Sequence, residues 1–233
     1  MDICAQLPHG ALRVFVMGER GANLEPANAD DIAQMRRISA EAVEAGAIGF
    51  STSRTLNHRT VKGDPTPSLR ATEAELMAIA MGQKDAGKGV MELISDFNQP
   101  DLENEFAMVK RIVAASGRPL SFSLGELHYA PDIWRHMLEM VDEAVNEGLP
   151  IRAQVAPRPI GLLLGLQSSA SPFSHLPSYQ RIHALPFDQR LAAMRDPGFR
   201  ATLLQEAEAA GDGSNSKAVI PTRLITNYGM IFP

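Results

Sequence analysis

Gly46-Ala47-Ile48-Gly49-Phe50-Ser51-Thr52-Ser53-Arg54 is the stretch whose reading decides the fold. Gly46 stops the helix before it, and Ala47 to Phe50 form a short apolar run that reads as a buried strand. Ser51, Thr52, Ser53 and Arg54 then put three hydroxyls and a guanidinium at the strand's carboxyl end. In a parallel barrel, that end is where an active site sits.

The pattern repeats on both sides of this stretch. Upstream, Ile32, Met35, Ile38, Ala42 and Val43 recur at helical spacing, which predicts an amphipathic helix over 31–45 with Asn28 or Asp30 as its cap. Before it, 19–29 reads as a turn-rich connection, and Leu12 to Met17 as a buried strand closed by Gly18. Downstream, 55–71 carries two prolines and a glycine and is predicted to be a long loop. Thr72-Glu73-Ala74-Glu75 is a capping-box pattern, with Glu75 expected to reach back to the cap of a helix that runs to Gly87. Strands are predicted over 89–95, 119–124 and 151–156. Helices are predicted over 102–116 and 131–146, stopped by Gly117 and Gly148.

Strand starts at 12, 47, 89, 119 and 151 are one βα unit apart, which implies a parallel sheet. Right-handed crossovers leave a barrel or a doubly wound open sheet. No Gly-x-Gly-x-x-Gly and no phosphate loop follows any strand, so nucleotide-binding open sheets lose ground. The fold class is therefore α/β, a partial (β/α)8 barrel with about five βα units. After Arg158 the character changes. An apolar, glycine-punctuated stretch covers 160–166, a loop covers 167–172, and short helices are predicted near 187–194 and 197–210. Residues 1–160 read as central barrel units, and 161–233 as a loop-rich, helical extension of the same domain, cut at its apolar C-terminal end.

The composition is that of an ordinary soluble protein: 45% hydrophobic and 21% charged residues, with a net charge of -5. That acidic balance, without a Lys/Arg cluster, argues against nucleic acid as a partner. No apolar run is long enough for a membrane span, and the N-terminus lacks the features of a signal peptide. The single cysteine, Cys4, rules out an internal disulfide and fits a cytoplasmic location.

If the units are parallel, one face collects Ser51, Thr52, Ser53, Arg54, Asp96, Glu126, His128 and Arg158. The three hydroxyls serve either a substrate's polar groups or loop backbone and helix caps. Arg54 and Arg158 are candidates for a bidentate carboxylate clamp, with surface roles as the alternative. His58, in the long loop, is an acid/base candidate or a solvated side chain. Asp96, Glu126 and His128 form either a metal or acid/base group or a structural ion pair, and their spacing matches no established ligand pattern. His9, His136, His175 and His183 have no partner that the sequence identifies.

Three phrases carry a family resemblance: Pro8-His9-Gly10-Ala11-Leu12-Arg13-Val14-Phe15-Val16-Met17-Gly18, Gly46 through Leu56, and Gln154-Val155-Ala156-Pro157-Arg158-Pro159-Ile160-Gly161. The chain resembles the N-acyl-D-amino-acid deacylase branch of the amidohydrolase superfamily. The resemblance implies a metal-dependent (β/α)8 barrel beside a small β-sandwich, and amide hydrolysis of N-acyl-D-amino acids by metal-activated water. It also implies zinc, bound by a His-x-His pair, by histidines on two middle strands and by an Asp on the last strand. This chain has no His-x-His. Ile94 or Ser95 stands at the first middle-strand position, Leu124 stands at the second, and Glu126 stands where the relatives have lysine. No family metal ligand transfers to a residue here. The chain thus resembles the central segment of a longer enzyme, inactive alone, with a small N-acyl amino acid as its partner and oligomerisation left open. The alternative is an inactive barrel remnant or small-acid-binding protein without the metal site.

Overall fold

The structure is a computed structural model and describes residues 3–60, 64–97, 101–126, 130–158, 161, 164–167 and 171–210. The chain opens with a two-residue strand β1 (Leu7–Pro8), helix α1 (His9–Met17), a single helical turn α2 (Glu19–Ala22) and α3 (Ala29–Glu44). Strands and helices then alternate: β2 (Gly49–Arg54), α4 (Glu73–Asp85), β3 (Val90–Ser95), α5 (Leu102–Ser116), β4 (Leu120–Ser123), α6 (Ile133–Asn146) and β5 (Ile151–Gln154). Three further helices follow: α7 (Pro177–Ile182), α8 (Phe187–Arg195) and α9 (Pro197–Ala210).

All five strands are parallel and lie in chain order, β1-β2-β3-β4-β5. This is the partial barrel of five βα units that the alternation predicts. The register gives the sheet two unlike faces. Leu7, Phe50, Met91, Leu120 and Ile151 form one row across the strands, and Thr52, Leu93 and Phe122 begin the next. These side chains pack against the helices together with Leu76, Ile79, Phe106, Val109, Ile112 and Met137. The residues between them in sequence point the other way, because side chains alternate along a strand. That second face carries Ser51, Glu92, Ser121 and Arg152 in one row, with Ser53 beside Ile94 and Ser123 beside Gln154 in the next. The helix-facing side is apolar and the opposite face is largely polar.

Three sequence expectations change. Leu12 to Met17 is not a strand. It lies in α1, whose buried positions are His9, Leu12, Arg13 and Met17, while Phe15 is 77% exposed. That spacing is helical, and it includes two polar residues that an apolar count misses. The first strand is instead Leu7–Pro8. Second, β2 runs on through Arg54, paired to β3 from Gly49↔Val90 to Arg54↔Ser95. Ser51 to Arg54 are therefore strand residues on alternating faces rather than a cluster beyond the strand. Third, Thr72 does cap α4 by accepting the Glu75 N–H at 3.4 Å, but the Glu75 side chain turns inward. The reciprocal box forms instead at α3, between Asn28 and Asp31.

Two close approaches fix the packing. α4 crosses α3 at Gly82, where a Cβ would lie 2.2 Å from the Arg36 carbonyl oxygen, and Ser39 Oγ donates to the Ile79 carbonyl at 2.9 Å beside it. Gly49 opens β2 at φ +155, where a Cβ would fall 1.8 Å from the Val90 carbonyl oxygen.

The chain divides into two compact units. The first is Met1–His58 with Pro65–Pro159, and the second is Arg59–Asp64 with Ile160–Pro233. The second has its own apolar cluster of Leu176, Tyr179, Ile182 and Leu203. In it Glu206 caps α7, accepting the Ser178 N–H at 2.9 Å and the Ser178 hydroxyl at 2.6 Å. No helix among the described residues is long and apolar enough to cross a membrane.

The Gly49 contact sets a test of the register. Gly49→Ala must push β2 off β3 and is expected to lower the unfolding free energy by on the order of 3 kcal/mol. Gly125→Ala meets nothing within 4 Å and should change it little. Equal denaturation midpoints for the two variants would contradict the β2–β3 register.

Candidate functional site

The carboxyl ends of β2, β3, β4 and β5 bring most of the sequence candidates to one rim. Ser53 is the last inward residue of β2. Its Oγ lies 2.7 Å from His58 Nδ1. His58 returns to the strand because the intervening turn is pinned from β3. Asp96, just past β3, accepts the Leu56 N–H at 2.8 Å and the Thr55 hydroxyl. Thr55 Oγ1 in turn accepts the Asn57 N–H at 3.1 Å. The far end of the loop is tied as well, since Ser68 Oγ donates to the Ser53 carbonyl at 2.8 Å. Asp96 is thus a turn-holding carboxylate. Glu126 and Arg158 are exposed beyond β4 and β5. Ser51 is half-buried on the same face as Ser53, in register with Glu92. His128 lies outside the described residues.

Thr52 and Arg54 face the helices instead. Arg54 forms a bidentate pair with Glu105 of α5, Nε to Oε1 at 2.5 Å and Nη2 to Oε2 at 3.0 Å, and Nη1 donates to the Ala71 carbonyl at 2.7 Å. Ser95 Oγ donates to the same Glu105 carboxylate at 3.0 Å. Each guanidinium nitrogen of Arg54 is therefore engaged within the fold.

Thr52 leads to a cluster that the sequence does not reveal. His9 Nδ1 is 2.8 Å from Thr52 Oγ1, and His9 Nε2 is 2.7 Å from Glu75 Oε1. Arg13 donates to the other Glu75 oxygen, and its remaining terminal nitrogen donates to the Glu25 carbonyl. His9, Arg13 and Glu75 are all buried to 1% exposure or less. The cluster joins the end of β1, the first turns of α1, β2 and α4 directly behind the Ser51 and Ser53 hydroxyls. Burial lowers the His9 pKa more than the Glu75 hydrogen bond and charge raise it, so the ring is neutral and donates Nε2–H to the carboxylate. For Glu75, burial pulls upward, but the hydrogen bonds from His9 and Arg13 and the Arg13 charge outweigh it and hold the carboxyl below its usual range.

The residues so arranged can bind polar groups and move protons at the rim. The described residues contain no group of three or more His, Cys, Asp or Glu side chains placed to hold a metal ion. Asp96 is committed to the 55–57 turn, and Leu124 at the end of β4 offers no donor atom. This donor set does not fit zinc.

Residues 1–219 match the sequence profile described as amidohydrolase family. The chain belongs to the amidohydrolase family. No curated protein matches it. Among solved structures it is similar to a D-aminoacylase studied for its binuclear metal centre, with 20% identity and a TM-score of 0.52 over 64% of this chain and 29% of that one. It is also similar to the N-acyl-D-glutamate deacylase of Bordetella bronchiseptica, solved with zinc and a phosphonate inhibitor that mimics the tetrahedral intermediate. There the identity is 21% and the TM-score 0.55 over 68% and 31% of the two chains. These likenesses establish the amidohydrolase chain's barrel fold, and the chain spans less than a third of either neighbour.

The buried cluster is expected to make the stability of this member of the amidohydrolase family pH-dependent. Unfolded His9 takes up its proton near pH 6.5, while folded His9 does so only at lower pH. The unfolded state therefore binds more protons between those values, and stability falls as pH drops below 6.5. The share due to Glu75 is present above 4.5 and is lost as pH falls through its depressed folded value. Urea midpoints should be lower at pH 5.5 than at pH 7.5, and His9→Gln should flatten that difference. Glu75→Gln leaves Arg13 uncompensated and should cost about 3–5 kcal/mol at neutral pH. A wild-type midpoint unchanged between the two pH values would count against a buried neutral His9.

Proposed function

We propose that this chain is the substrate-facing strand and helix segment of a hydrolase that cleaves the amide bond of N-acyl amino acids, with N-acyl-D-amino acids as the substrate class. The observation that carries this is the family match along nearly the whole chain, onto a parallel sheet whose helix-free face is polar. The two deacylase neighbours supply the choice of an acylated D-amino acid. Ser51, Ser53 and His58 orient the acyl amide. Exposed Arg158 is the better cation for the substrate carboxylate, because Arg54 is committed to Glu105. Thr52 and Arg54 support β2 from behind, and Asp96 supports the turn. Glu126, exposed beyond β4, is a further substrate contact, and His128 is offered as one from its place in the sequence alone.

Zinc accompanies the N-acyl-D-glutamate deacylase neighbour. The described residues here do not form a zinc ligand set, so no step is routed through a metal. A cytoplasmic location fits the one exposed, unpaired cysteine, Cys4. The alternative of a binding remnant without turnover draws no support from neighbours that are themselves deacylases.

The test is release of free amino acid by the native protein at its natural length, from N-acetyl-D-glutamate and a panel of N-acetyl-D- and L-amino acids. Turnover of a D-substrate is expected. A ligand-induced rise in melting temperature with no release from any member of the panel would replace the hydrolase with a binding protein.

A further inference from the structure

We infer that Glu92 sets the substrate specificity of this chain as a receptor for the terminal ammonium of a basic side chain, so that its substrates are N-acyl amino acids of the lysine and ornithine class. This rests on the hydrolase reading above and names the side chain that the substrate carries.

The register places Glu92 in one row with Ser51 on β2, Ser121 on β4 and Arg152 on β5, on the sheet face opposite the helices. Neighbouring strands lie about 4.8 Å apart, so a serine flanks Glu92 on either side. Glu92 is half-buried, and its side chain makes no hydrogen bond or ion pair with any described residue. The hydroxyls of Ser51 and Ser121 make none either. Every other buried or half-buried carboxylate among the described residues (Asp31, Glu73, Glu75, Asp96, Glu105 and Glu206) is held by an arginine, a hydroxyl or His9. The one cation of the row does not neutralise Glu92. Arg152 is exposed, and its Nη1 donates to the carbonyl of Ile151 on its own strand at 2.9 Å. A carboxylate withdrawn from water without a partner costs free energy, which a cationic ligand recovers on binding.

The surroundings of the carboxylate select that ligand. Along β3 its neighbours on the same face are Val90 and Ile94. Ile94 lies one layer nearer the rim, about 6.6 Å along the strand. A side chain entering past the rim meets an aliphatic surface first and the carboxylate beyond it. That order matches an alkylammonium, with methylenes on Ile94 and three N–H donors for Glu92, Ser51 and Ser121. A four-carbon stem covers the depth of one layer. An acidic side chain would bring like charges together, and an uncharged one would cover Glu92 without pairing it.

The experiment compares Nα-acetyl-D-lysine with N-acetyl-D-norleucine, which has the stem without the ammonium, and with N-acetyl-D-glutamate. The native protein at its natural length should show kcat/KM about 10- to 100-fold higher for the lysine compound than for the norleucine one, the worth of one charged hydrogen bond. Glu92→Gln should bring the two level, and Glu92→Asp, which keeps the charge, should retain part of the preference. Because Glu92 has no partner in the fold, Glu92→Gln should not lower the urea midpoint. Equal kcat/KM for the two compounds in the native protein, or a preference for N-acetyl-D-glutamate, would overturn the assignment and leave the hydrolase intact. A lowered urea midpoint in Glu92→Gln, the mark of a structural ion pair, would also overturn it. If no compound is hydrolysed, the hydrolase reading falls, and binding decides the subsite. A melting temperature raised more by Nα-acetyl-D-lysine than by N-acetyl-D-norleucine, in the native protein and not in Glu92→Gln, upholds it, and no difference between the two compounds overturns it.

Discussion

The fold depends on where the Glu75 carboxylate goes. A fully buried carboxylate costs several kcal/mol to desolvate and persists only where its oxygens are satisfied. Glu75 meets that demand with His9 on one oxygen and Arg13 on the other. His9 and Arg13 are four residues apart and so share one face of a helix, which is why this segment is helical despite its apolar run. His9 passes the constraint on to Thr52, so the register of β2 is tied to the orientation of α4 through one imidazole ring. Phe50, edge-on to that ring at 6.4 Å, closes the apolar side of the same junction.

Because Thr52 is turned toward the helices, Ser51 and Ser53 must turn away from them. Period-two alternation leaves no choice once one side chain of the strand is fixed. The same rule carries across the sheet through the paired strands, and it gives the face opposite the helices its serines, Glu92, Arg152 and Gln154. A barrel interior is usually filled with layers of branched apolar side chains, and here Val90 and Ile94 alone fit that description among the paired residues of β2 to β5 on this face. A polar interior row is costly unless it meets polar partners, which is a physical reason to associate this face with a polar ligand.

Much of this could be read from the sequence, and the failures have a common cause. The helices at α3, α4, α5 and α6 follow from apolar residues at helical spacing with glycines behind them, and β3, β4 and β5 follow from short runs between those stops. α1 was hidden because its buried face includes a histidine and an arginine, which hydropathy scores as solvent-facing. The polar half of β2 was hidden because Thr52 turns to the helices, where its hydroxyl meets His9 across 43 positions. At the rim, residue types pointed to Ser53, Arg54, His58 and Asp96, but their partners could not be foreseen. Arg54 meets Glu105 across 51 positions, and His9 meets Glu75 across 66. Pairings of that separation are decided by how α4 and α5 pack, which no local pattern encodes.

The Ser53–His58 contact spans only five positions, yet it too depends on distant chain. The 55–58 turn holds its shape because Asp96, contributed by the neighbouring strand, takes both a hydroxyl and a backbone N–H from it. A carboxylate that accepts two hydrogen bonds from one turn orders that turn before any ligand arrives, so the entropic cost of placing His58 is met during folding rather than on binding. Asp96 therefore acts at one remove from the ligand. Its two oxygens face Thr55 and Leu56, and what it contributes to the rim is the position of an imidazole that it does not touch.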